Sequence, residues 1–207
     1  MMGNTMHSYE PCKGSGLRHD PIAAILGPRP IGWISTCDDQ GRPNLAPYSF
    51  FNVFNYRPPI VAFSSVGYKD TVRNVQATGE FVYNLATRAL ADAVNATSAE
   101  VAGDEFQLAG LTPRGSALVR PPAVGQSPVA MECKAIEVRQ MQDHLGGALD
   151  TWMVFGEVVM VHIDRALLSA ADGNYDTTAA QPILRGGGPA DYFEITPQAR
   201  FLMRRPS

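Results

Sequence analysis

Apolar and polar positions along the chain fall into short blocks separated by turn residues. Residues 1–20 are polar and show no periodicity, so they read as an extension that wraps the body or a neighbouring subunit. From Ile31 the pattern becomes strand-like. IGWISTC and NLAPYSFF flank Asp38-Asp39-Gln40-Gly41, and both are rich in β-branched or aromatic residues, so they predict a hairpin. Arg57-Pro58-Pro59 breaks the chain before a short apolar strand, IVAFSS, at 60–65. KDTVRNVQATG then predicts a helix capped by Asp70 or Thr71, with Val72 and Val75 on one face and Gly79 at its end.

EFVYNLA at 80–86 reads as another strand, and residues 89–101 as helical. Residues 105–113 form a loop or short helix. Two long strands are predicted at 129–141 and 151–163. The second is apolar on both faces, which predicts a central, well-covered position. Residues 182–195 read as mostly loop with a final strand. Short connections favour antiparallel pairing, and strand-helix alternation is not sustained. A mainly antiparallel barrel with inserted helices is therefore expected, rather than a doubly wound parallel sheet.

Composition narrows the function classes. The 207 residues are 45% hydrophobic and 18% charged, enough apolar material for a core in one large domain or two small ones. The 19 glycines and 16 prolines make about one residue in six, which suits many turns. A net charge of −3 argues against nucleic acid as a partner. The three cysteines, Cys12, Cys37 and Cys133, form no CxxC pair, and a reducing cytoplasm is the expected compartment. No signal-peptide core or membrane-length apolar run stands out, so no membrane association is expected.

The motif search excludes several chemistries. There is no GxxxxGK[ST] phosphate loop, and no GxGxxG after a strand. Gly186-Gly187-Gly188 precedes Pro189 rather than a helix. HExxH and GxSxG are absent, and the four histidines have no metal-site spacing. His162, inside an apolar strand, reads as a structural histidine with a satisfied hydrogen bond. Three segments place hydroxyls and amides at strand ends: Arg29 to Thr36, Asn44 to Asn52, and Ser64-Ser65 with Lys69-Asp70-Thr71. Lys69 and Thr71 at a helix start suit a phosphate, although an ordinary capped helix explains the same residues.

RPIGWIST, NLAPYSFFN, PPIVAFSS, KDTVRN, GEFVYNL, EFQLAGLT, SPVAMECK, FGEVVMVHI and PILRGGGPADY, in this order, resemble the flavin reductase-like family of FMN-binding split-barrel proteins. The similarity is greatest to its flavoredoxin and nitrilotriacetate monooxygenase reductase subgroup. The resemblance implies a six-stranded antiparallel Greek-key split β-barrel with inserted helices over 21–207, after an extension at 1–20. It also implies a homodimer that binds FMN, with NADH or NADPH as co-substrate. Electrons would pass to a free flavin, a partner monooxygenase or another acceptor.

Cofactor contacts fall, by the same resemblance, on Ser35 and Thr36, on Ala46, Pro47, Tyr48, Ser49 and Phe50, and on Ser64, Ser65, Lys69, Asp70 and Thr71. Arg29 is a further candidate for the phosphate or ring edge. Trp33 either stacks near the flavin or belongs to the core. Arg185, Gly186 and Tyr192 are expected to cover the site, from the same chain or from the partner subunit. One position departs from the pattern. Asp150-Thr151 stands where many short-chain flavin reductases have Asp-His, and His144 lies outside that register. The resemblance thus speaks more firmly for FMN binding than for NAD(P)H oxidation. An FMN-binding electron-transfer protein without nicotinamide activity, and a cofactor-free barrel, are the competing readings.

Overall fold

The computed structural model describes residues 5–99 and 103–206. In chain order the strands are β1 (Arg29–Pro30), β2 (Gly32–Cys37), β3 (Pro43–Tyr48), β4 (Phe51–Tyr56), β5 (Pro59–Val66), β6 (Glu80–Leu85), β7 (Pro113–Arg114), β8 (Ala123–Val124), β9 (Val129–Gln142), β10 (Ala148–Ile163), β11 (Ile183–Arg185) and β12 (Tyr192–Glu194). The helices are α1 (Ile22–Ile25), α2 (Asp70–Thr78), α3 (Ala91–Ala96), α4 (Glu105–Leu108) and α5 (Thr177–Ala180).

One seven-stranded sheet carries the fold, in the order β3-β2-β6-β9-β10-β5-β4, with every pairing antiparallel. The expected class, a mainly β split barrel with inserted helices, is what forms. The strand count differs by one from the expected six. NLAPYSFF is not one continuous strand, because β3 ends at Tyr48, the chain bends at Ser49-Phe50 and re-enters the sheet as β4. The two outermost strands are therefore consecutive in sequence. Ser64 N–H donates to Phe50 O at 2.9 Å just beyond the β4–β5 ladder.

The β2–β3 hairpin forms as its turn residues require. Gly41 sits at φ 82°, and Asp38 Oδ1 accepts from the N–H groups of Gln40 and Arg42. α2 lies against the barrel interior. Its Val72 and Val75 are buried with Ile34, Phe63, Phe81 and Val154. A second core, outside the barrel, surrounds Trp33 with Leu45, Val94 and Phe106. β2 is buried along its whole length because it separates these two cores.

Gly79 ends α2 in the left-handed region, at φ 71°, and its N–H closes on Val75 O. Gly79→Ala is expected to lower stability by about 1 kcal/mol, since only glycine adopts this backbone without strain. A shift in the urea midpoint at constant slope checks it.

Several expectations need correction. The N-cap position of α2 falls on Lys69, in extended conformation and without a side-chain cap, not on Asp70 or Thr71. Asp70 is instead ion-paired with Arg73, and Thr71 Oγ1 accepts from Asn44. The segment expected to be helical over 89–101 holds a 3-10 turn at Arg88–Leu90 and then α3, which is shorter than expected. Residues 100 and 101 lie outside the described residues. β10 is central, but its first three residues are exposed and only alternate positions beyond Met153 are buried. The tail forms two short strands, β11 and β12, in a satellite sheet where β11 pairs with β1 on one side and β12 on the other.

The buried polar centre of the structure is Glu132, on β9 and 0% exposed. Its carboxylate accepts from Ala117 N–H at 2.7 Å and Leu118 N–H at 2.6 Å, and it pairs with His162 Nε2 at 2.7 Å. The reading of His162 as a structural, hydrogen-bonded histidine is borne out. Among the described residues Cys12 is exposed, Cys37 and Cys133 are buried, and no three His, Cys, Asp or Glu side chains gather as a metal site. Among the described residues no helix is long and apolar enough to cross a membrane.

Candidate functional site

The site is built where β3 meets the start of α2. Hairpin pairing fixes β3 against β2, with Ala46 opposite Ile34 and Tyr48 opposite Gly32. Lys69, at the end of the β5–α2 connection, brings the first turn of α2 beside this strand. A cavity of about 350 Å³ opens between them. Of the expected residues, it brings together Ala46, Pro47, Tyr48, Lys69, Asp70 and Thr71.

Polar groups below the cavity form one network. Asn44 Nδ2 donates to Thr71 Oγ1 at 2.9 Å and to Thr36 Oγ1 at 3.3 Å, and Asn74 Nδ2 donates to Thr36 Oγ1 at 3.1 Å. Burial raises the Tyr48 phenol above its ordinary range, partly offset by hydrogen bonding to Thr71 and Ser65 and by the Lys69 charge. No side chain caps α2, so the N–H groups of its first turn remain to face an anion. The carboxylate of Asp70 is held by Arg73 in the following turn, which moderates the repulsion it exerts on an anion there.

The remaining expected residues lie elsewhere. Arg29, Phe50 and Ser64 line a second cleft of about 360 Å³, on the other side of the Ser49-Phe50 bend. Ser49 offers its carbonyl to Arg29 Nε at 3.1 Å. Ser65 is fully buried, and its hydroxyl donates to Gly67 O at 2.9 Å. Trp33, Ser35 and Thr36 are enclosed, each 0% exposed. Trp33 belongs to the second core, and its Nε1–H donates to Thr97 Oγ1 at 2.9 Å. The Ser35 hydroxyl donates to Pro122 O at 2.5 Å. Thr36 stands one layer behind Thr71.

Arg185 donates to the carbonyls of Gly188, Pro189 and Asp191 and lies over the Tyr192 ring at 5.0 Å. Gly186 accepts from Arg29 Nη2 at 3.1 Å, which ties this loop to the second cleft. Thr151 pairs with Val66 across β10 and β5, and Asp150 O accepts from Gly67 N–H at 2.9 Å.

Four lining groups escaped sequence reasoning: Thr97, Ser98, Ala99 and Glu105. Burial pushes the Glu105 carboxyl up, and hydrogen bonds from backbone N–H groups, Leu45's among them, only partly offset it. Asn44, also in the lining, stood in a segment already singled out, two residues before Ala46. No local signal marks the other four, which reach the cavity only through tertiary packing.

A positive helix end, a lysine, a threonine hydroxyl and an extended strand edge together suit a ligand that carries a phosphate. The fold and this site define a flavin reductase-like protein, and the chain belongs to that family: its Flavin reductase like domain matches residues 26–179. An uncharacterized protein of Aquifex aeolicus is 34% identical over 81% of this chain and 85% of its own. Nitrilotriacetate monooxygenase component B of Bacillus cereus superposes with a TM-score of 0.83 at 27% identity, over 96% of this chain and all of the other. Flavoredoxin of Desulfovibrio vulgaris (Miyazaki F) superposes with a TM-score of 0.74 at 25% identity, over 91% and 97% of the two chains.

Proposed function

We propose that this protein is an FMN-dependent oxidoreductase that takes electrons from NADH or NADPH and delivers them to a free flavin or a partner oxygenase. The observation that carries the reading is the uncapped start of α2, with Lys69 and Thr71 beside the β3 edge, in a chain of the flavin reductase-like family. These residues fit the phosphate end of FMN. Lys69 supplies a charge, Thr71 a hydroxyl, and the first helical turn its N–H groups. Ala46, Pro47 and Tyr48 offer a wall for the remainder of the molecule. Bound flavin supplies the redox chemistry, so the chain needs no nucleophile or general base of its own.

The working unit in this reading is a cytoplasmic homodimer. Val53, Tyr56 and Val66 leave large apolar side chains exposed on β4 and β5, in keeping with a covered face. A second reading, an FMN-binding electron carrier without nicotinamide activity, is favoured by Thr151. That position on β10 carries a hydroxyl where many short-chain relatives of the family have an imidazole.

Anaerobic titration of the FMN-loaded protein with NADH and NADPH tests both. Bleaching of the flavin absorbance within the mixing time of a turnover assay is expected. A loaded protein that stays yellow with either nucleotide would leave the carrier reading. A purified protein that takes up no FMN at all would sink both.

A further inference from the structure

The second cleft has a chemistry unlike the first. It lies on the outer face of the sheet, where Ser64 pairs with Met153 and Ala62 with Asn52 and Phe155. Leu26, Pro28 and Phe50 wall it on one side, Phe54 and Met153 on the other. Arg29 is the single cation among its lining residues.

Every hydrogen-bond acceptor that Arg29 meets is a neutral carbonyl. Nε donates to Ser49 O and Nη2 to Gly186 O, each at 3.1 Å, and Nη1 donates to Ala23 O. No carboxylate pairs with it among the described residues. The guanidinium is half-buried and also lies 5.4 Å from the centre of the Phe50 ring. Three of its five N–H groups are committed to carbonyls from three separate segments, which fixes the plane of the fork. Two N–H groups remain for a further acceptor. A full positive charge beside aromatic walls, oriented in advance and left without a counter-ion, is what a pocket for an organic anion requires.

We infer that this cleft binds a small aromatic monocarboxylate. The ring lies against Phe50, Phe54 and Met153, the carboxylate takes the open N–H groups of Arg29, and the Ser64 hydroxyl is placed to assist. A phosphate fits poorly, since the cleft offers one cation and no helix N-terminus. The inference goes beyond the flavin reading and does not require flavin in the first cavity.

Calorimetric titration of the full chain with benzoate, with and without FMN, tests it. Benzamide serves as the neutral ligand of the same shape. Benzoate is expected to saturate at one site per chain, with benzamide at least ten-fold weaker. Phe54→Ala should weaken benzoate several-fold and leave FMN affinity unchanged. Arg29→Gln should abolish benzoate binding. Arg29 joins three segments, so the benzoate–benzamide pair and Phe54→Ala decide the matter if that variant fails to fold. Benzoate binding to a protein that takes no FMN would support the cleft while removing the flavin reading. Absence of saturable benzoate binding, equal affinity for benzamide, or displacement of benzoate by FMN would overturn the inference. The last result would assign the cleft to the flavin ring.

Discussion

Replacing Glu132 with alanine is expected to destabilise the protein by about 3–5 kcal/mol, a large share of the stability of a single domain. The carboxylate is fully buried and accepts from Ala117 N–H, Leu118 N–H and the His162 ring. Truncation leaves those donors without an acceptor and opens a void, so two penalties act together. Glu132→Gln keeps the shape, but its amide turns one donor toward another, and an intermediate loss is expected. Urea denaturation of both variants at neutral pH measures the two losses. A change below about 1 kcal/mol for the alanine variant would contradict the account.

The same residue sets a pH dependence. Burial alone would raise the Glu132 carboxyl, but the hydrogen bonds from Ala117, His162 and Leu118 outweigh it and hold the group below its ordinary 4.5. A carboxylate with a lowered folded value contributes stability that is fully present above the unfolded value. That contribution is lost as pH falls through the folded value. The wild type should therefore lose stability on the acid side, below about pH 4.5. The gap between wild type and Glu132→Gln should narrow over the same range.

The second large effect concerns ligand affinity. Lys69→Ala combined with Thr71→Val is expected to weaken FMN binding about a hundred-fold, or ~3 kcal/mol, by removing one charged and one neutral donor from the start of α2. Valine keeps the branched shape of Thr71, which is 1% exposed, and limits damage to the core. A fluorescence titration of FMN measures the change. Affinity within a factor of three of wild type would mean that the phosphate is held elsewhere.

Much of this was legible in the sequence. The β2–β3 hairpin, α2 and the long β9–β10 pair each carry a local signature: Gly41 in a turn, Val72 and Val75 on one helix face, sustained apolar runs. β4 was not legible. Its FNVFNY residues are largely exposed in a single chain and lack an alternating buried face, so periodicity had nothing to report. The segment reads as the end of the preceding strand until Ser49-Phe50 is seen to bend. Within the site, Lys69, Thr71 and Ala46 to Tyr48 were legible because strand ends and helix starts announce themselves. The split of Arg29, Phe50 and Ser64 into a separate cleft was not, since it depends on which side of that bend each side chain falls. Glu132 carries no mark of its own within the strand expected at 129–141. Only the loop that folds back over it shows why a carboxylate is required.

The bend at Ser49-Phe50 has a mechanical consequence. An open sheet has two free margins, and each is a place where pairing can slide by a residue or recruit a strand from another molecule. Here the two margins are neighbours along the backbone, joined by a tether two residues long. A slip of β3 along β2 would pull β4 along β5 in the same motion, at the cost of both ladders at once. The tether thus locks the register of the whole sheet from its two ends and leaves neither margin able to move alone.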